Sequence, residues 1–189
     1  MCDSIARIEV NTKICLVVHH REVTRSSNTG LLALRALVNS EIRIRGETRD
    51  ALDLSDLITP EYRTFLFYPS DDAVELDNQL VAQDPRPIQL IVPDGTWRQA
   101  RKVHYRHHEL KDIQRVKIST PHVTAFQLRA QQKPERMVTL QAIANGLGVI
   151  EGDWAEAHLM KLYHAKVERT LIGRGLLRGR CADSIARSR

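Results

Sequence analysis

Short apolar segments, each followed at once by a polar loop, constrain the fold of this chain more than any other feature. Residues 14–18, 64–67 and 87–92 have the length and the apolar content of buried strands. Amphipathic helical patterns follow two of them, from residue 29 to about 39 and from residue 97 to about 110. The alternation predicts an α/β fold with a mainly parallel sheet and helices on both faces.

The remaining segments complete a single predicted domain. Residues 21–28 are expected to form a polar loop, and Asn28 or Thr29 can cap the helix that follows it. Further strands are predicted at 41–45, 116–119 and 125–129, and helices at 138–147 and 154–173. We expect one domain over 1–189, with its core at about 14–175 and a basic tail at 176–189.

Composition favours a soluble intracellular protein. The chain is 42% hydrophobic and 27% charged, with no apolar run approaching the roughly 20 residues that span a bilayer. Its start lacks the pattern of a secretory leader, and its three cysteines form no Cys-x-x-Cys pair. We therefore expect a cytoplasmic protein without structural zinc.

The distribution of charge indicates an anionic partner. The formal net charge is +5, and the segment 98–117 alone holds seven Lys or Arg residues against two acids. Such a segment attracts phosphate-bearing molecules, although a solvated helix face would have the same composition. His104, His107 and His108 are expected on this basic solvent face, because no carboxylate or cysteine completes a metal set; no metal is predicted.

The run 90–102 is the strongest candidate for a functional site. A predicted buried strand leads there into Asp94, Gly95, Thr96 and Trp97. Ligands of open α/β sheets bind where strands end, and the loop Tyr68-Pro69-Ser70 is expected at the same edge. Asp94 would be a general base or a helix cap, and Trp97 would stack on a base or fill the core. Thr96 is a second candidate cap.

Several familiar nucleotide-binding and hydrolase patterns are absent from the sequence. No Gly-x-Gly-x-x-Gly follows a predicted strand, and neither Gly-x-x-x-x-Gly-Lys-Ser/Thr nor Gly-x-Ser-x-Gly occurs. Rossmann dinucleotide enzymes, P-loop NTPases and α/β-hydrolases are therefore disfavoured.

Taken together, the motifs resemble those of the DTW-domain family, whose Asp-x-Thr-Trp motif corresponds to Asp94, Thr96 and Trp97. The similarity runs from about residue 14 to 175. Its other elements are His20-x-Glu22, Asn28-Thr29-Gly30, Tyr68-Pro69-Ser70, the run 94–102, Leu128-Arg129 and Thr139-Leu140-Gln141-Ala142.

The resemblance implies a SPOUT-related fold with a C-terminal trefoil knot. It also implies an S-adenosylmethionine-dependent tRNA-uridine aminocarboxypropyltransferase. Such an enzyme places a 3-amino-3-carboxypropyl group on N3 of uridine and releases methylthioadenosine. The catalytic residues that it implies are Asp94, Thr96 and Trp97. The implied cofactor-binding residues are Tyr68, Pro69, Ser70, Val92, Pro93, Asp94, Gly95, Ser119, Thr139, Leu140 and Gln141. RNA contacts are expected from Arg98, Arg101, Lys102, Arg106 and Arg129.

Two departures from the family pattern keep alternatives open. The cysteine-rich zinc-ribbon segment of many members is absent, and Gln141 stands where the family usually has glutamate. The alternatives are aminocarboxypropyl transfer to ribosomal RNA, methyl transfer as in other SPOUT-related enzymes, or an RNA-binding module without catalysis. The sequence also leaves open the oligomeric state and whether Asp94 takes a proton or holds the cofactor.

Overall fold

A single parallel sheet organises the protein in the computed structural model, which describes residues 5–46, 52–119 and 137–175. The strands are β1 (Lys13–His19), β2 (Ser40–Arg45), β3 (Arg63–Phe67), β4 (Val74–Glu75), β5 (Ile88–Asp94) and β6 (Arg115–Lys117). The helices are α1 (His20–Val23), α2 (Gly30–Ala36), α3 (Asn78–Ala82), α4 (Trp97–Arg106), α5 (Thr139–Glu151) and α6 (Asp153–Gly173), with 3₁₀ turns at Ser55–Leu57 and His108–Leu110.

The sheet has the strand order β2-β1-β5-β3-β6-β4, and each recorded strand pairing is parallel. The predicted α/β fold with a parallel sheet is therefore confirmed. Because all six strands run in one direction, their carboxyl ends and the loops that follow lie along one edge.

Helices cover both faces of the sheet, as predicted, because side chains along each central strand alternate between two cores. In β1, Leu16 packs with residues of α2, α5 and α6, whereas Val17 packs with residues of α4. α6 contributes Ala155, Leu159, Tyr163 and Val167 to the first core, at the four-residue spacing of one helix face.

Several predicted boundaries were wrong, for local reasons. α2 stops at Ala36 rather than near 39, because Leu37 is extended and forms a parallel bridge with Ile8. α4 stops at Arg106 rather than near 110, because His107 is extended and a 3₁₀ turn follows. The short α1 and α3 were not predicted; Asp77 starts α3 by accepting a hydrogen bond from the amide of Leu80.

Other predictions fall on parts of the chain that the structure leaves out. The predicted strand at 125–129 and the tail at 176–189 lie outside the described residues. Within the described ranges, no helix is long and apolar enough to cross a membrane.

The end of β5 explains where the sheet opens. β5 pairs with β3 only as far as Ile91, whereas its pairing with β1 continues to Asp94. Pro93, which has no N–H to donate, lies beyond the β3 register, so it removes no hydrogen bond between β3 and β5. The strand extends two residues past the predicted end at 92 and carries Asp94 to the point where β3 and β5 have separated.

Candidate active site

Asp94 is the buried acid at the end of β5, and both of its oxygens accept hydrogen bonds. Thr139 Oγ1 donates to Oδ1 over 2.5 Å, and Asn28 Nδ2 donates to Oδ2 over 2.7 Å. The residue is only 7% exposed. Asp94 therefore does not cap α4, which was the alternative interpretation of its position; it joins the loop before α2 to the start of α5.

Asn28 connects three parts of this site. Its Nδ2 donates to the backbone oxygen of Glu22 (3.2 Å) as well as to Asp94, and its Oδ1 accepts from the amide of Leu31 (3.0 Å). Of the two predicted caps, Asn28 or Thr29, the last bond shows that Asn28 supplies the side-chain oxygen. The hydroxyl of Thr29 has a different role, since it accepts from the amide of Leu140 at 3.3 Å.

Gly30 is required by close packing at the start of α2. A Cβ atom there would lie 3.0 Å from both methyl carbons of Leu16 and 3.2 Å from Oδ2 of Asp94. Any larger residue at position 30 would push against the Asp94 carboxylate and the core at once.

Thr96 and Gln99 cap the start of α4. Thr96 Oγ1 accepts a hydrogen bond from the backbone N–H of Gln99 (3.3 Å), and Gln99 Oε1 accepts one from the backbone N–H of Thr96 (2.7 Å). This reciprocal pair is a capping box. Gly95 precedes it at φ +143°, a conformation that other residues rarely adopt. The threonine of the Asp-x-Thr-Trp motif thus caps the helix, as the sequence allowed, while it also lines the site.

Trp97 faces solvent rather than the core. Its exposed fraction is 44%, so the alternative of a core-filling tryptophan is wrong. Tyr68 lies beside it with ring centroids 6.2 Å apart, and the centroids of the Tyr68 and His104 rings are 6.0 Å apart. Burial raises the pKa of Tyr68 and lowers the pKa of His104, so the neutral forms of both rings are favoured.

A cavity of about 550 Å³ lies at the carboxyl ends of the strands, within the usual range for small-molecule sites. Of the predicted cofactor-binding residues, seven line it: Tyr68, Pro69, Val92, Pro93, Asp94, Gly95 and Thr139. All three predicted catalytic residues, Asp94, Thr96 and Trp97, also line it.

The other four predicted cofactor-binding residues are not among the described residues that line the cavity: Ser70, Ser119, Leu140 and Gln141. Ser119 points to Glu75, to which its amide and hydroxyl both donate. Gln141 is buried in the first turn of α5, where its Oε1 lies 3.5 Å from the amide of Val138. Glutamine and glutamate can both accept a hydrogen bond from the backbone N–H of the N-cap residue at this position. Gln141 can therefore cap α5 in place of the glutamate that the family usually has.

Charged residues that the sequence did not single out for the site also line the cavity. Glu22 comes from α1, Lys117 from β6, and Lys166 and Arg174 from α6 and the residue after it. Lys166 reaches across to donate to the backbone oxygen of Ser26 at 2.9 Å. Among the described residues, the lining of this cavity therefore includes two acids and three cations, which suits a ligand carrying both signs of charge.

α4 presents the predicted RNA-binding cations beside the cavity. Arg98, Arg101 and Arg106 are exposed, and Lys102 is half-buried. None of the four forms an ion pair with an acid among the described residues. Arg129 lies outside the described residues. The prediction that His104, His107 and His108 share a solvent face was wrong for His107. His107 is buried, with its Nδ1 atom 3.3 Å from Glu109 Oε1, whereas His108 is exposed.

A parallel α/β protein with a charged, ligand-sized cavity at its strand ends is the class that this fold and site define. The family model described as the DTW domain matches residues 1–171. The chain therefore belongs to the DTW domain family.

Curated relatives share part of this domain. The chain is similar to "tRNA-uridine aminocarboxypropyltransferase 2" of Drosophila melanogaster, at 28% identity over 147 residues, which are 75% of this chain and 57% of the relative. It is similar to proteins of the same name from Macaca fascicularis and Mus musculus, each at 23% identity over 149 residues, 76% of this chain and 49% of the relative. The chain thus spans about half the length of these relatives. No solved structure matches it.

Proposed function

We propose that this protein transfers the 3-amino-3-carboxypropyl group of S-adenosylmethionine to N3 of a uridine in tRNA and releases methylthioadenosine. The observation that carries the proposal is the cavity at the strand ends, whose lining brings the Asp-x-Thr-Trp motif together with acidic and cationic side chains. Membership of the DTW family and the names of the relatives support the same activity.

The residues of the cavity fit this cofactor. S-adenosylmethionine carries an ammonium, a carboxylate and an aromatic base, and the walls offer acids, cations and the exposed ring of Trp97. Lys117, Lys166 and Arg174 are assigned to the carboxylate. Tyr68 and Pro69 are assigned to the apolar wall beside the adenosine.

When bound, S-adenosylmethionine supplies a γ-carbon activated by the neighbouring sulfonium. The new bond joins N3 of uridine to that carbon, the carbon–sulfur bond breaks, and its electron pair stays on sulfur. The N3 proton passes to Asp94. Each carboxylate oxygen has a second lone pair, so Asp94 can accept this proton while Asn28 and Thr139 hold it in place.

The proposal also covers the RNA-binding residues, the fold relationship and the cellular location. Arg98, Arg101, Lys102 and Arg106 are assigned to RNA phosphates, because α4 carries these cations next to the cavity. We also propose a SPOUT-related fold with a C-terminal trefoil knot and a cytoplasmic location, in line with the family resemblance and the cysteine content.

A labelling experiment tests the reaction. The full chain is incubated with bulk RNA and S-adenosylmethionine labelled either in the methyl group or in the aminocarboxypropyl group. We expect only the second label to enter tRNA, and Asp94→Ala to abolish its entry while the variant stays folded. Label from the methyl group, label in ribosomal RNA alone, or normal turnover by the variant would contradict the proposal.

A further inference from the structure

Glu22 is a second buried acid in the wall of the cavity. The residue is 6% exposed, and its Oε1 atom accepts no hydrogen bond from the residues that the structure describes. Removing a carboxylate oxygen from water without giving it a donor is costly. Because Glu22 lines the cavity, a ligand that displaces the side chain beside Oε1 would supply the missing donor.

The ion pair of Glu22 with Arg25 does not satisfy this oxygen. Arg25 Nη1 lies 3.2 Å from Oε1, but the pair is not a hydrogen bond and the Arg25 side chain is 51% exposed. A pair with a half-exposed arginine is weak, because water and salt screen it. Arg25 can therefore be exchanged at little cost for a cation enclosed in the cavity.

Glu22 and Asp94, the acids among the described residues that line the cavity, differ in the hydrogen-bond donors that they receive from the protein. Asn28 Nδ2 connects them, since it donates both to the backbone oxygen of Glu22 and to Oδ2 of Asp94. Both oxygens of Asp94 already accept from protein donors, whereas Oε1 of Glu22 does not. Glu22 is therefore the acid that can still accept a hydrogen bond from a ligand.

We propose that Glu22 binds the primary ammonium of the ligand's amino acid group. An ammonium is a compact charge with three N–H donors, which matches an enclosed carboxylate oxygen. The inference rests on the proposed function, in which this group is the α-amino group of S-adenosylmethionine. It assigns the grip on the amino group to Glu22 and leaves Asp94 to the N3 proton.

The variant Glu22→Gln tests the assignment, because it keeps the shape of the side chain and removes its charge. Dissociation constants are measured by calorimetry for S-adenosylmethionine and for methylthioadenosine, which lacks the amino acid group. We expect the affinity for S-adenosylmethionine to fall about 10- to 100-fold, as for the loss of a hydrogen bond to a charge. The affinity for methylthioadenosine should change less than about twofold.

Arg25→Gln is the matched control, because it breaks the ion pair but keeps the Glu22 charge. We expect it to bind S-adenosylmethionine as well as the wild type or better. Equal weakening of both ligands by Glu22→Gln, or the same loss in Arg25→Gln, would show a structural role and overturn the proposal.

A wild-type measurement covers the case in which Glu22→Gln does not fold. The affinity of S-adenosylmethionine is compared with that of its analogue lacking the α-amino group, and equal affinities would overturn the proposal. Loss of transfer chemistry in the labelling experiment, with the dependence on Glu22 intact, would instead remove the proposed reaction alone. A wild type that binds neither ligand would overturn both.

Discussion

Thr139 and Asp94 are 45 positions apart in sequence, and the threonine hydroxyl donates to the aspartate carboxylate over 2.5 Å. The bond joins the first residue of α5 to the last residue of β5. It fixes one oxygen of the acid at the point where the sheet opens, while Asn28 fixes the other. The position of the carboxylate is therefore set by three separate segments of the chain.

Thr139→Val removes this donor and keeps the branched shape. Because a hydrogen bond to a charged group contributes about 1.5–3 kcal/mol, we expect the free energy of unfolding to fall by that amount. Transfer should fall about 10- to 100-fold, since the base loses its fixed orientation. Thr139→Ser keeps the hydroxyl and should retain most of both. Urea denaturation and single-turnover kinetics measure the two effects, and wild-type behaviour of Thr139→Val would contradict them.

Gly30→Ala should disturb the position of the Asp94 carboxylate at its Oδ2 atom. A Cβ atom at this position meets fully buried Leu16 and Asp94 at 3.0–3.2 Å, and overpacking of this kind costs about 1–3 kcal/mol. The gain in helix propensity, about 1 kcal/mol, opposes that cost but does not exceed it.

Gly173→Ala is the matched control for the glycine prediction. Gly173 is also helical, and a Cβ there would meet no atom within 4 Å. We expect this variant to be as stable as the wild type or slightly more stable, and to retain transfer. Thermal unfolding of both variants provides the comparison; equal effects would mean that packing around Gly30 is not decisive.

The sequence predicted the parts of the site that lie in one continuous segment. Apolar runs that end in polar loops located β1, β3 and β5, and parallel strands necessarily bring their loops to one edge. The cap by Asn28 and the helix beginning at Trp97 followed from local side-chain chemistry. These features depend on interactions over a few residues.

The remaining features depend on contacts that no local pattern records. Lys166 and Arg174 line the cavity because α6 packs against one face of the sheet. Their spacing in sequence is that of any polar helix surface, so it does not predict that they line a cavity. Glu22 was part of a recognised motif, but its burial depends on the unpredicted α1. The donors to Asp94 come from distant segments, so its role as a junction could not be distinguished from capping.

Cys15 tests the buried arrangement of β1. Burial raises the pKa of its thiol to about 12, with Glu41 adding to the effect, and the residue is fully enclosed. In a Cys2→Ser, Cys181→Ser variant, we expect no reaction with a thiol reagent at pH 8 in the native state. Rapid reaction in denaturant is the internal control. Rapid labelling of the native variant would show that β1 is not buried as described.

Trp97→Ala should separate binding from folding. Because Trp97 is 44% exposed beside Tyr68, we expect a small change in stability and a loss of transfer of at least about tenfold, as for the removal of a stacking ring. Trp154→Ala is the control, since Trp154 is 51% exposed and is not among the described residues that line the cavity. Equal transfer by the two variants, measured at matched protein concentration, would remove Trp97 from the site.

The basic face of α4 gives a prediction about salt dependence. Each phosphate contact contributes about 0.7–0.9 to the slope of log K against log salt concentration, so Arg101→Glu with Lys102→Glu should lower the magnitude of the tRNA-binding slope by about 1–2. Lys161→Glu with Arg169→Glu is the matched control. Both residues are exposed on α6, which packs on the opposite face of the sheet. If both double variants change the slope equally, net charge rather than α4 governs binding; an unchanged slope in the α4 variant would exclude this helix from the RNA interface.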